Sequence, residues 1–345
     1  MIMDNLLSKI LPITGEGCLP GKKLIGNVLN DVIDVLKPES IHHRPRGTNG
    51  NPGGLIKLQS LPTIIVSDLH ARVGYLKSVL LWKPPDMKYN VYWGLSSGKL
   101  RVVCVGDGFH SESRVISRWK KALGEYTMDF IEHKAMDEEM SESLGVIIMM
   151  MKLKTTFPHF FHFLKGNHEN IANENSADNR SFRKFVYEGV MVTAWFKEFM
   201  GKRLFERYYK FEKMLPVFAI GDRFCVTHAE PKTHYSEKDI VNALVNREII
   251  FNLTWTDNGQ AEIGSVVRYL YDFFPDNQEA RMFGGHRPIP ISQNYLSRAG
   301  GKYIQIHNPS WYNIVYVRDM KDFLIYRDIF SILPLAERLA KKEEI

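Results

Sequence analysis

Cysteine is scarce in this chain. Its three copies, Cys18, Cys104 and Cys225, show no close, even spacing, which excludes a disulfide framework and favours a reducing compartment. Cys104 and Cys225 stand inside apolar runs, where a free thiol behaves as a small hydrophobe. Long apolar runs are also missing: the most apolar stretch, Val146 to Met151, is far too short to span a bilayer. The opening segment MIMDNLLSKILPITGEG carries Asp4 and no long apolar core, so a secretory leader is not expected. A soluble, cytoplasmic protein without a membrane partner follows as the expectation. Dense basic stripes with interleaved aromatics are absent too, so nucleic acid is not an expected partner. The net charge of +6 by itself suits an anionic substrate, nucleic acid or simple solubility equally well.

What is present describes a globular chain. At 345 residues the length permits about two domains. Apolar residues at Leu24, Val28, Val32, Val35 and Leu36 recur at helical intervals, and the polar, Gly/Pro-rich run HRPRGTNGNPGG (43–54) reads as a linker or mobile loop. The expected organisation is therefore an N-terminal arm and linker over 1–54 and a main domain over 55–345. Within the main domain, short apolar strands alternate with helical segments, the pattern of an α/β layer fold. Strands are predicted at Thr63–Ser67, Arg101–Val105, Phe161–Leu164, Val217–Ile220, Phe224–Thr227, Tyr303–His307 and Ile314–Arg318. Trp119, Leu123, Tyr126 and Phe130, and then Met140, Leu144, Ile147 and Met151, recur at helical spacing and read as core-facing stripes.

The chemistry lies where the strands end. Thr63–Ser67 runs into Asp68-Leu69-His70, and Arg101–Val105 into Gly106-Asp107-Gly108. Phe161–Leu164 leads through Lys165 to Gly166-Asn167-His168-Glu169, Phe224–Thr227 ends on His228, and Phe283-Gly284-Gly285 leads to His286. In an α/β sheet the carboxyl ends of strands open onto a shared crevice, so five polar tips can converge. Asp-x-His at a strand end puts a carboxylate and an imidazole on one side, because strand side chains alternate. Carboxylate, imidazole and amide donors suit zinc, manganese or iron better than a thiolate-rich structural site does.

The series SDLH, VGDGFH, KGNHEN, VTHAEP and GGHRPI resembles that of the calcineurin-like metallophosphoesterases, in particular their serine/threonine phosphoprotein phosphatase branch. LGVIIMMMKLKTTFPHFFHFLKGNHE resembles that branch's helix-then-strand approach, NLTWTDN its Leu-Trp-Ser-Asp segment, and HNPSWYN its closing loop. The likeness runs from about Leu55 to Arg318. It implies a central β-sandwich of mixed sheets flanked by helices, with a dinuclear metal site at the carboxyl ends of the strands. One ion would be held by Asp68, His70 and Asp107, and the other by Asp107, Asn167, His228 and His286. Two such ions, manganese favoured over iron or zinc, would share a hydroxide for in-line attack on a phosphate ester. His168 would protonate the leaving alkoxide as general acid.

Departures from the pattern bear on the substrate. His110 stands where the branch has the aspartate that orients the acid histidine, and Ser111-Glu112 replaces its Arg-Gly. His-Gly-Gly has become His228-Ala229-Glu230, so either Glu112 or Glu230 supplies the missing carboxylate or proton donation is weakened. Arg287, beside a proposed ligand, is the first choice for gripping phosphate, with Arg72, Arg114, Arg180 and His110 as other candidates. Glu169 reads as a structural residue rather than a ligand. The expected substrate is a phosphorylated protein or small molecule, hydrolysed as a monoester. Alternatives are a nucleotide or dinucleoside-polyphosphate hydrolase, or a scaffold of the same fold with weak catalysis. The segment 111–156 reads as a helical insertion that could cap the crevice or simply pack against it.

Overall fold

The computed structural model describes residues 18–173 and 181–333. The opening segment 1–17 and the candidate phosphate binder Arg180 lie outside the described residues. Eleven strands among them form two mixed sheets. They are β1 Leu55–Lys57, β2 Thr63–Val66, β3 Arg101–Cys104, β4 Phe161–Phe163, β5 Phe218–Ile220 and β6 Phe224–Thr227. The remainder are β7 Arg281–Gly284, β8 Leu296–Arg298, β9 Tyr303–Gln305, β10 Tyr312–Val317 and β11 Ile329–Ile332. One sheet has the order β11-β10-β2-β3-β4, the other β1-β5-β6-β7-β9-β8.

Period-two alternation explains the layering. Ile65, Val103, Val105 and Val315 of the first sheet meet Ala219, Val226, Phe283 and Ile304 of the second in one dry core between the sheets. Their neighbours Ile64, Val66, Val102 and Cys104 point the other way, into a core shared with the helices Lys22–Leu36, Val73–Leu81 and Lys134–Thr156. On the far side Phe218, Cys225, Met282 and Tyr303 pack against the helices Arg247–Thr254 and Ser265–Phe273. Buried on both faces, these strands read as continuous β-branched and aliphatic runs rather than half-polar ones. The result is the expected β-sandwich with helices on both sides.

All seven predicted strands are present to within two residues at either end. The seven do not include β1, β7, β8 and β11, of which only β7 had a signal, Phe283-Gly284-Gly285 before His286. Each is three or four residues long, and β7 (RMFG) opens on an arginine and closes on a glycine, so its apolar signal is two residues wide. The helix Lys134–Thr156 buries the whole Val146–Met151 run, and no helix among the described residues is long and apolar enough to cross a membrane. The helix Ile116–Thr127 packs against it and buries Trp119, whose indole N–H donates to Ser111 O at 2.9 Å.

The segment 43–54 carries its own anchor. Arg44 is fully buried, donating to Gly53 O at 2.7 Å and to the Glu39 carboxylate at 2.8 Å. The other Glu39 oxygen takes Lys154 Nζ of the long helix at 2.7 Å. His43 and His162 stand beside this carboxylate, close enough that the three together could hold a cation, and the Lys154 ammonium lies 3.4 Å from His162 Nδ1. Burial pushes the Glu39 pKa upward, but Lys154 and Arg44 outweigh it and hold it below its ordinary value.

Glu39→Gln would leave two buried cations without a counter-charge, and should cost about 3–5 kcal/mol in denaturant unfolding. Lys154→Met should cost less, because Arg44 still neutralises the carboxylate. A carboxyl whose folded pKa is depressed stabilises the fold above its unfolded value and loses that contribution as pH falls through the folded one. Stability measured from pH 6 downward should therefore fall less steeply in Glu39→Gln than in wild type, the difference opening below about pH 4.5.

Candidate dinuclear metal centre

Parallel pairing brings the polar tips to one edge. β2, β3 and β4 run parallel in register, Val66 beside Cys104 and Cys104 beside Phe163, so their following loops leave together. β6, β7 and β9 do the same in the facing sheet. The turns after these strands are tight: His70, Asp107, His110 and His286 adopt φ of +42°, +51°, +63° and +67°. Left-handed backbone at non-glycine residues is uncommon and clusters at functional sites. The glycines serve a steric purpose. A Cβ on Gly285 would run into the Asp68 carboxylate, and one on Gly166 into that of Asp107.

One buried carboxylate ties the loops to each other. Glu169 accepts the backbone N–H of Asp107 at 2.9 Å, of Gly108 at 2.8 Å and of Gly166 at 2.7 Å. Leu69 and His70 donate in turn to Asp107 O at 3.1 and 2.7 Å, which couples the first loop to the second. Asp68 Oδ1 accepts from His286 N, and Asp107 Oδ1 from His168 N, each at 2.9 Å.

Within this frame the side chains converge. His70 Nδ1 lies 3.1 Å from His110 O and His228 Nδ1 lies 3.2 Å from Val105 O, so in each ring the other nitrogen is left facing the centre. His228 Nε2 is 3.3 Å from Asp107 Oδ2 and 2.9 Å from Asn167 Oδ1, which His286 Nδ1 also approaches at 2.9 Å. His70 Nε2 is 3.7 Å from Asp107 Oδ2. Three groups, Asp68/His70/His307, His70/Asp107/His168 and Asp107/His228/His286, bring their donor atoms within 4.8 Å of one another. All of these residues are buried or nearly so.

By sequence, no protein-family model and no curated protein matches the chain. Its structure is similar to that of a protein serine/threonine phosphatase from Saccharomyces cerevisiae, with a TM-score of 0.57 at 13% identity over 92% of each chain. The chain has the calcineurin-like metallophosphoesterase fold. A putative diadenosine tetraphosphatase superposes with a TM-score of 0.42 at 12% identity, covering 82% of this chain and 98% of its own.

The residues fit the pair of divalent ions that this metallophosphoesterase fold family uses. An imidazole fixed through one nitrogen to a backbone carbonyl presents the other as a ligand, and His70 and His228 are both held this way. The charge balance agrees. Burial opposes a charged His228, yet Asp107 and Asp68 push its pKa up to about 9. Burial likewise opposes a charged Asp107, yet His228, His168 and His70 hold it well below the usual carboxylate range. The carboxylates draw positive charge into a dry place, which is what a cation site does.

The surrounding residues divide by environment. His168 Nδ1 lies 3.0 Å from His110 Nδ1, so imidazole faces imidazole where the phosphatase pattern pairs imidazole with carboxylate. Neither Glu112 nor Glu230 reaches that pair: Glu230 bonds Arg298 at 2.7 Å, and Glu112 lies beside His70 and His307. Arg72 is buried and donates to the carbonyls of Asp68, Leu69, Asn308 and Pro309, clamping the first loop to the last. Arg114 donates to His70 O at 3.0 Å and to Glu142. Arg287 is half-exposed at the mouth and bonded to Asp257 of the NLTWTDN segment.

A cleft of about 190 Å³ opens here, lined by His168, Phe182, Lys184, Trp255 and Arg287 among others. Phe182 lies with its ring centre 3.9 Å from that of His168, and Lys184 Nζ lies 3.5 Å from Glu112. Sequence reasoning missed Phe182, Lys184 and His307. Only His307 carried a usable signal, as a histidine directly after a strand within a segment already marked by its resemblance.

Glu169→Gln would place an amide N–H₂ against at least one of three inward N–H donors. It should lower unfolding stability by about 1–3 kcal/mol, the cost of a buried donor left unmatched, as read by chemical denaturation.

Proposed function

We propose that the chain is a metal-dependent phosphoesterase that hydrolyses phosphate monoesters, with phosphorylated serine or threonine in proteins as its substrate class. The observation that carries this reading is the meeting of Asp68, His70, Asp107, Asn167, His228 and His286 at one edge of both sheets, with His168 beside them. Asp68, His70 and Asp107 would hold one divalent ion, and Asp107, Asn167, His228 and His286 the other. Manganese suits this oxygen- and imidazole-rich donor set. Such ions supply Lewis acidity toward phosphoryl oxygens and lower the pKa of water at the site.

The chain's own groups supply the rest. Hydrolysis forms a P–O bond from water and breaks the ester P–O bond, and the departing alkoxide needs a proton. His168 is placed to give it: its backbone N–H is tied to Asp107, its Nδ1 faces His110, and its Nε2 is left toward the site, 3.8 Å from Asp107 Oδ2. Arg287 and Lys184 stand at the mouth as the cations that would meet a phosphate. Arg72 acts by position, through the loops that it clamps. Phe182 over the acid histidine shields it from bulk water and narrows the approach.

Metal-stripped protein resupplied with manganese should hydrolyse p-nitrophenyl phosphate, and Asp107→Asn and His168→Ala should each lose at least ~100-fold in rate. Preference for bis-p-nitrophenyl phosphate would move the assignment to a diesterase acting on nucleotides or dinucleoside polyphosphates. Manganese binding without turnover of either ester would make the chain a scaffold. His110 gives a further handle. A carboxylate there would hold a protonated His168, so His110→Asp should raise kcat on the monoester about tenfold with KM little changed.

A further inference from the structure

His307 is the buried polar group that this arrangement leaves unexplained. It follows β9 and is fully buried, and neither ring nitrogen makes a hydrogen bond. Its Nδ1 lies 3.5 Å from Asp68 Oδ2, and its Nε2 lies 3.2 Å from Glu112 Oε2. These distances would allow hydrogen bonds, but the ring is not directed along either. Its centre is 5.1 Å from that of His70. A buried imidazole with two unmatched nitrogens is costly unless something else engages it.

The geometry around it names what that is. Asp68, His70 and His307 bring three donor atoms within 4.8 Å of one another, about the spread of donors that share one ion at roughly 2 Å. The assignment above gives one ion four protein residues and the other only three, and His307 stands on the side of the three. Behind it, Glu112 presents a carboxylate to Nε2, the nitrogen turned away from Asp68. A carboxylate backing a histidine whose other nitrogen binds metal is a recurrent device: it fixes the ring and raises its basicity.

We propose that His307 is a fourth protein ligand, through Nδ1, of the ion held by Asp68, His70 and Asp107, and that Glu112 is the positioning residue that orients it. The proposal rests on the two-metal reading and adds a donor to it. With four protein ligands, a tetrahedral ion would have no position left for water or substrate. The site is therefore built for an ion that accepts five or six ligands, manganese or iron before zinc.

The test counts metal, not turnover. Metal-stripped full-length protein is titrated with Mn²⁺ while free Mn²⁺ is followed by electron paramagnetic resonance, and metal-free unfolding is measured alongside. Wild type should bind two equivalents. His286→Ala should weaken one of them and His307→Ala the other, each by more than 100-fold. Glu112→Gln should weaken the same equivalent as His307→Ala by about 10–100-fold, with metal-free unfolding unchanged. Should His307→Ala disturb folding, Glu112→Gln still decides, since its carboxylate lies at the edge of the cleft. Two equivalents of wild-type affinity in both variants would overturn the role of His307 and leave the two-metal reading standing. A wild type that binds no Mn²⁺ would overturn both.

Discussion

Three backbone N–H groups point inward at the Glu169 carboxylate, and the candidate centre depends on that clamp. It joins the loop after β3 to the loop after β4 without using any side chain that faces the cleft. Asp107 and Asn167 therefore meet across two strands, and the Asp107 carboxylate spends only Oδ1 on the loops, accepting His168 N–H, while Oδ2 stays turned to the site. Burial and the nearby Asp107 push the Glu169 pKa up to about 7, and the three N–H donors pull the other way by favouring the charged form. That opposition shows how closely two carboxylates have been brought together for the sake of loop geometry.

The sandwich exists to hold these ends. Residues alternating along β2 and β3 serve two cores at once, so neither strand can slip by one position without exchanging its inter-sheet face for its helix face. Register therefore fixes where Asp68, Asp107 and Asn167 emerge. The left-handed backbone at His70, Asp107, His110 and His286 concentrates strain in these turns, and the flanking layers maintain it.

Much of this was legible in the chain itself. Strand ends carrying Asp68, Asp107, Asn167, His228 and His286 announced themselves by residue type after apolar runs; the alternation of strand and helix pointed to an α/β layer fold, and only the resemblance implied a sandwich of two sheets. What could not be read depended on path rather than pattern. Lys184 and Phe182 reach the cleft on a loop with no periodicity, and Glu112, in the loop after β3, faces His307 only because β9 of the other sheet ends beside that loop. Arg72 is one of the candidates for gripping phosphate by sequence. In space its guanidinium is enclosed by four carbonyls from two loops, a contact between residues more than two hundred apart. The segment 43–54 has a linker's composition, yet one buried arginine holds it to the body.

The nest of Glu39, His43 and His162 uses the same donor types as the candidate metal centre, and it differs in what sits among them. There the positive charge is Lys154, delivered on a covalent stem by the helix Lys134–Thr156. A tethered ammonium neither exchanges with solvent nor yields to a chelator. The two clusters thus differ in permanence: the one at Glu39 carries a charge partner that is part of the polymer, whereas the proposed metal centre would draw its positive charge from the medium. Removing ions from the proposed centre would leave Lys154 in place, so the Glu39 cluster would keep its charge balance.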